Sequence, residues 1–218
     1  MIIAYDLSYD CHFSHMTGIV IPMFFGEPFG GIITGARGAV LSALLRTATP
    51  MTGRQIHALV SDEYSLWSVQ QTLKALAELG IIETQTIGRA GVHTIDEEHA
   101  AIPHLRHLAD PIGALSHVIL DAIGEAVETV LIFGSIARGE ATENSDIDLA
   151  VITDAEWDGR VDLQEVVRKR FGNACDVLVF TVDEFNQLAK AGEPVVHDIL
   201  RDGLALVGTK PRTKAGAA

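Results

Sequence analysis

The chain has 218 residues, 48% of them hydrophobic and 21% charged, with a formal net charge of −13. That composition supplies enough apolar material for packed cores and excludes a long disordered tract. The negative balance excludes a surface that binds polyphosphate everywhere, so any nucleic-acid contact has to be local.

Met1 to Asp10 contains Asp6 and Asp10 and no Lys or Arg, so it lacks the basic start of a signal peptide. The apolar run from Gly18 to Phe25 is too short to span a bilayer. A cytoplasmic protein without membrane attachment is the expectation. Cys11 and Cys175 are too few for a disulfide framework and too far apart for a metal knuckle, so both are expected to be reduced. Cys11, His12 and His15 form a cluster, but it lacks further ligands at a metal-site spacing. Glycines at 26, 30 and 31 punctuate short β-branched and aromatic runs, which predicts an extended arm or hairpin over residues 1–34.

Val40, Leu41, Leu44 and Leu45 then fall on one stripe of a first helix before the break at Pro50. Thr52 with Gln55 fits a capping box opening a second helix that carries Ile56 and Leu59. Ser65 is placed to cap a third helix whose Val69, Leu73, Leu76 and Leu79 form an apolar stripe ended by Gly80. The period then switches. Ile81 to Ile87 and Val92 to Ile95 read as strands around the turn Gly88-Arg89-Ala90-Gly91.

Helices followed by a hairpin in this order resemble the winged helix-turn-helix module, with the third helix as recognition helix and Gly88 to Gly91 as the wing tip. The functional reading sets Trp67, Gln70, Gln71 and Lys74 on the exposed helix face, with Arg89 on the wing, facing DNA. The plainer reading is a packing or dimerisation element. Between Gly35 and Asp96 five basic residues (Arg37, Arg46, Arg54, Lys74, Arg89) balance five acidic ones (Asp62, Glu63, Glu78, Glu83, Asp96). Any DNA affinity is therefore expected to be modest and salt-sensitive.

Residues 98–126 read as a helical connector interrupted at Pro103 and Pro111, and His99, His104 and His107 as a solvated helix face. Val127 to Phe133 reads as a buried strand. Next comes Gly134-Ser135 at a predicted helix start, then a strand carrying Asp146 and Asp148. Gly134 permits close backbone approach to a ligand, and free N–H groups with the Ser135 hydroxyl can hold phosphate oxygens. Side chains two apart on a strand share a face, so Asp146 and Asp148 should project together and repel each other unless a divalent cation lies between them. Mg²⁺ suits such a site because it takes a few carboxylates plus substrate phosphates. Val161 to Phe171 reads as a helix, and Ala174 to Phe180 as a strand on which Asp176 is the only charge, which makes it the candidate third acid. Glu193 to Val207 reads as a packing helix with a final strand.

Gly134-Ser135, Ala137-Arg138-Gly139 and Ser145-Asp146-Ile147-Asp148-Leu149 together resemble the signature of the DNA-polymerase-β-like nucleotidyltransferase superfamily, in particular its minimal bacterial branch. The match fixes eight or more identities across 16 positions. The resemblance implies a C-terminal α/β domain with a mixed sheet over residues 127–218, behind the winged helix at 35–97. It implies that Gly134 and Ser135 bind the β- and γ-phosphates of a nucleoside triphosphate, ATP being expected. Arg138, Gly139 and Ser145 complete the binding set. It further implies that Asp146, Asp148 and Asp176 hold two Mg²⁺ ions, with Mn²⁺ as a substitute, and that Asp176 serves as general base.

The implied reaction moves a nucleoside monophosphate onto a hydroxyl of a protein or RNA acceptor, as in antitoxins that adenylylate a toxin or enzymes that extend transfer RNA. The sequence does not choose between these. The rival reading is a DNA-binding regulator that senses nucleotide without turnover. A third, antibiotic modification, needs a larger substrate domain than the roughly 40 residues after Asp176 provide. The winged helix also makes a homodimer a reasonable expectation.

Overall fold

A computed structural model describes residues 22–47, 49–124, 127–154 and 156–211. Cys11, His12, His15 and most of the expected N-terminal arm lie outside the described residues. The described part of that arm contains no strand. It runs from Pro22 into a 3-10 turn at Pro28–Gly31 and then into the first helix.

The N-terminal unit is built from α1 (Gly35–Thr47), β1 (Met51–Thr52), α2 (Gly53–Val60), α3 (Leu66–Glu78), β2 (Ile82–Ile87) and β3 (Ala90–Ile95). Local chemistry sets its boundaries as expected. Thr52 and Gln55 close a full capping box at α2, Ser65 accepts from the Ser68 N–H at the start of α3, and Gly80 follows α3 with φ +73. The three strands form an antiparallel sheet in the order β1-β3-β2, and the turn between β2 and β3 tightens to Gly88 and Arg89. The two-residue strand β1 went unread because two residues carry no periodicity. The apolar stripes of α1, α2 and α3 meet over Val40, Leu44, Ile56, Val69, Leu73 and Leu76, all essentially excluded from solvent.

The expected connector consists of α4 (Ile102–Leu108) and α5 (Pro111–Ala122), and each helix is built into a different core. Ile102 of α4 belongs to the N-terminal core, whereas Leu115 and Ile119 of α5 are fully buried in the C-terminal one.

The C-terminal unit adds β4 (Val127–Phe133), α6 (Gly134–Ala137), β5 (Ile147–Thr153), α7 (Arg160–Phe171), β6 (Cys175–Thr181), α8 (Val182–Ala191), α9 (Pro194–Asp202) and β7 (Leu204–Val207). Its sheet has the order β6-β5-β4-β7; β4 is antiparallel to β5 and β7, and β5 is parallel to β6. Alternation along the strands sends Val130, Ile132, Leu149 and Val151 to the face covered by α5 and α7, and Leu131, Ala150 and Ile152 to the face covered by α8 and α9. Helix α8 was not foreseen, although Thr181 and Glu184 form a capping box that announces it. No helix among the described residues is long and apolar enough to cross a membrane.

The strap before α1 ties the two units together. Phe29 is buried in the N-terminal core, while Phe25 lies 5.9 Å, ring to ring, from Phe171 at the end of α7. The Met23 N–H is held by the Asn173 carboxamide at 3.0 Å, and the Asn173 amide donates to the carbonyls of Met23 and Ser145, each at 3.1 Å. Asn173 is only 2% exposed. Removing its side chain therefore takes the donor away from the half-buried carbonyls of Met23 and Ser145, while the Met23 N–H keeps the Phe171 carbonyl at 2.9 Å. Asn173→Ala should lower stability by about 2–3 kcal/mol, read as a shift of the urea midpoint; an unshifted midpoint would show that this clamp contributes nothing.

Candidate active site

The site begins with the register of β4 and β5, which sets Phe133 opposite Asp148. The chain then turns at Gly134 with φ +71, a left-handed conformation that glycine adopts without steric cost. A Cβ added at Gly134 would sit 2.1 Å from the Asp148 Oδ2, so the glycine also makes room for the carboxylate. Gly139 has φ +71 as well, at the exit of the short helix α6, with open space around it. The backbone between them winds tightly, with the Glu140 N–H donating to the Ser135 carbonyl at 2.9 Å.

Asp148 lies on β5, in parallel register with Asp176 on β6. Both occupy the strand positions that alternate toward α8 and α9, at the beginning of their strands. Asp146 falls one residue before β5, in the turn that precedes it, and is exposed, where the sequence placed it on the strand. The carboxylates nevertheless act on one another. Burial first, then Asp176 and then Asp146 push the Asp148 pKa upward, with Arg138 opposing them. The Arg138 Nε donates to the Glu140 carboxylate at 2.7 Å, and Asp202 at the end of α9 also acts on the guanidinium.

Ser145 has a local task. Its hydroxyl accepts the Thr142 N–H at 2.8 Å, closing the turn that delivers Asp146, and its carbonyl is the one gripped by Asn173. Neither Asn173 nor Asp202 was singled out in the sequence. An Asn just after the helix-ending Gly172 reads as an ordinary turn residue. Cys175, between Asn173 and Asp176, is buried, and burial followed by the charges of Asp176 and Asp148 lifts its thiol to about 12.

Among the described residues no trio of His, Cys, Asp and Glu is arranged to hold a metal ion by itself. The donors that could take part are Asp146, Asp148 and Asp176. Oxygen-only carboxylates that repel one another fit a hard divalent cation which draws its remaining ligands from water and phosphate.

The second group of candidates lies on the N-terminal unit. Trp67, Gln70, Gln71 and Lys74 are all exposed along α3 while Val69, Thr72, Leu73 and Leu76 face inward, and Arg89 is exposed at the hairpin tip. Lys74 is 3.9 Å from Glu78.

Residues 120–212 match the family described as Polymerase beta, Nucleotidyltransferase. A relative from Methanocaldococcus jannaschii, whose name provisionally assigns it as a protein adenylyltransferase, is 30% identical over 80 residues, covering 37% of this chain and 78% of that protein. Among solved structures, a toxin–antitoxin with AMP-PNP is 22% identical with a TM-score of 0.37, covering 46% of this chain and 75% of that one. The tri-AMPylated Shewanella oneidensis HEPN toxin in complex with MNT antitoxin shows 17% identity and a TM-score of 0.32, covering 45% of this chain and 73% of that one.

The raised Asp148 pKa has a defined consequence for stability. Its carboxyl holds a proton more tightly in the folded chain than at the unfolded value of about 3.9, so stability falls as pH rises through that window and stays reduced above it. In metal-free buffer, Asp148→Asn should therefore melt at a higher temperature than wild type at pH 7–8, with the gain vanishing near pH 3. A lower melting temperature at neutral pH would refute the strain assigned to this carboxylate.

Proposed function

Because the chain belongs to the polymerase-β nucleotidyltransferase family through its C-terminal half, we propose that it is a protein adenylyltransferase, moving AMP from ATP to a hydroxyl of a partner protein. The observation that carries this reading is the juxtaposition of the Gly134 turn with Asp148 and Asp176 on adjacent strands. The name of the Methanocaldococcus relative favours a protein over an RNA acceptor.

In this reading Gly134 and Ser135 offer backbone N–H groups and a hydroxyl to the β- and γ-phosphates, and Arg138 adds positive charge beside them. The positive φ of Gly139 brings the chain out of the turn, and Ser145 keeps the following loop folded. Asp146, Asp148 and Asp176 would hold the divalent cations, Mg²⁺ or Mn²⁺, which supply charge neutralisation at the triphosphate and acidify the acceptor hydroxyl. Asp176, at the exposed end of the pair, takes the proton from that hydroxyl. The acceptor oxygen then bonds to the α-phosphorus as the bond from that phosphorus to the departing pyrophosphate breaks.

The test is incubation of the purified chain with α-labelled ATP, Mg²⁺ and a host lysate. Wild type should label a protein band resistant to ribonuclease, and Asp146→Ala/Asp148→Ala should reduce the label at least ~10³-fold. Label only on ribonuclease-sensitive material would move the acceptor to RNA. No transfer from any of the four nucleotides, with Mg²⁺-dependent nucleotide binding retained, would move the function to nucleotide sensing.

The solvent-facing row on α3 favours a second activity alongside the first. We read the N-terminal unit as a winged helix that contacts DNA through Trp67, Gln70, Gln71 and Lys74, with Arg89 on the wing. Its neutral charge keeps the phosphate footprint small. Gel shifts against the gene's own upstream DNA should show binding that survives Asp146→Ala, is abolished by Gln70→Ala/Lys74→Ala, and weakens with salt at a slope of roughly −1 to −2. Identical shifts for wild type and the α3 variant would discard this assignment.

A further inference from the structure

Away from the acids, the N-terminal unit contains a cleft of about 470 Å³ between the strap, α1 and the C-terminal end of α2. That volume lies within the range of sites that take small organic ligands. Its floor is a run of small residues on α1, Gly35, Ala39, Ser42 and Ala43, whose spacing brings them to one side of the helix. Its walls are Ile33, Leu59 and Val60, and Leu59 is left 58% exposed.

Ser42 is 9% exposed, and its hydroxyl has no hydrogen-bond partner among the described residues. Among the described residues no polar side-chain atom fully closed off from solvent lacks a partner, so the Ser42 hydroxyl opens into the cleft. A nearly buried hydroxyl without a protein partner, at the base of a roomy cleft, is a group available to a ligand.

The rim gives the ligand its charge. Glu27, Asp62 and Glu63 line the cleft against the lone Arg46, and none of the four is in an ion pair among the described residues. Tyr64 lies in the same surroundings: burial first, then a hydrogen bond to Glu63, then the charges of Glu63 and Glu27 raise the pKa of its phenol. An anion entering here would meet three carboxylates, whereas a cation gains from them.

We propose that this cleft binds an amphipathic organic cation, an aryl or alkyl amine whose apolar body lies over α1 and Leu59 and whose charge faces Glu27, Asp62 and Glu63. The site is separate from the family match, which begins at residue 120, and does not depend on the transferase reading.

The test is titration of the full chain with proflavine, a planar acridine cation, followed by fluorescence anisotropy, with the anilinonaphthalene sulfonate anion as competitor. Saturable binding of proflavine at one site is expected. Asp62→Asn/Glu63→Gln, at exposed positions, should weaken it about tenfold while leaving the circular-dichroism melt unchanged. Ala43→Leu, which fills the floor, should weaken it to a similar degree, and the sulfonate should fail to displace the probe. Absence of saturable binding, undiminished affinity in the Asp62/Glu63 variant, or displacement by the sulfonate would overturn the proposal.

Discussion

The contact between Gly134 and the Asp148 carboxylate is the constraint around which the C-terminal unit is arranged. Any side chain at 134 would collide with Oδ2, and the local φ of +71 already disfavours one. The contact exists because the antiparallel register of β4 and β5 puts Phe133 opposite Asp148, so the residue after the strand end meets that carboxylate. The turn that could receive phosphates and the acid that could hold a cation are thus fixed by the same hydrogen-bonded ladder. A one-residue slip of β5 would carry Asp148 to the opposite face of the sheet and dismantle both.

Charge at this end of the sheet is left deliberately unbalanced. Asp148 is half-buried with Asp176 beside it and Asp146 nearby, and Arg138, already engaged by Glu140, offsets only part of the repulsion. Structural carboxylates are usually satisfied by hydrogen bonds or partners, whereas perturbed ones gather where a ligand completes the charge balance. At the neighbouring Cys175, burial followed by the charges of Asp176 and Asp148 pushes the thiol up to about 12, which favours its neutral form.

Besides the α4–α5 connector, the two units are joined by a short strap and one buried carboxamide. Asn173 joins three segments distant in sequence: the strap at Met23, the turn ending at Ser145 and the entry to β6. It therefore sits between the N-terminal unit and the loop that presents Asp146. The strap also forms one wall of the cleft in front of α1, so the surface assigned to a ligand and the support of the acidic site share one piece of backbone.

Much of this was legible in the sequence, for physical reasons that can be named. The capping box of Thr52 with Gln55, the Ser65 cap, the stripe Val69-Leu73-Leu76 and the apolar run from Val127 to Phe133 are local patterns, and they placed α2, α3 and β4 almost to the residue, whereas β5 starts one residue later than the expected strand that was to carry Asp146. Gly134, Asp148 and Asp176 were likewise identifiable from residue type and spacing. The pairing of Asp148 with Asp176 depends instead on β5 and β6 being adjacent and parallel, which no local pattern encodes. The displacement of Asp146 off the strand, the use of Ser145 as a turn lock, and the clamp at Asn173 all arise from contacts between segments far apart in the chain. Side-chain chemistry and period determined which elements form and which residues could react; only the register of the sheet and the packing of the strap decided which of those residues meet.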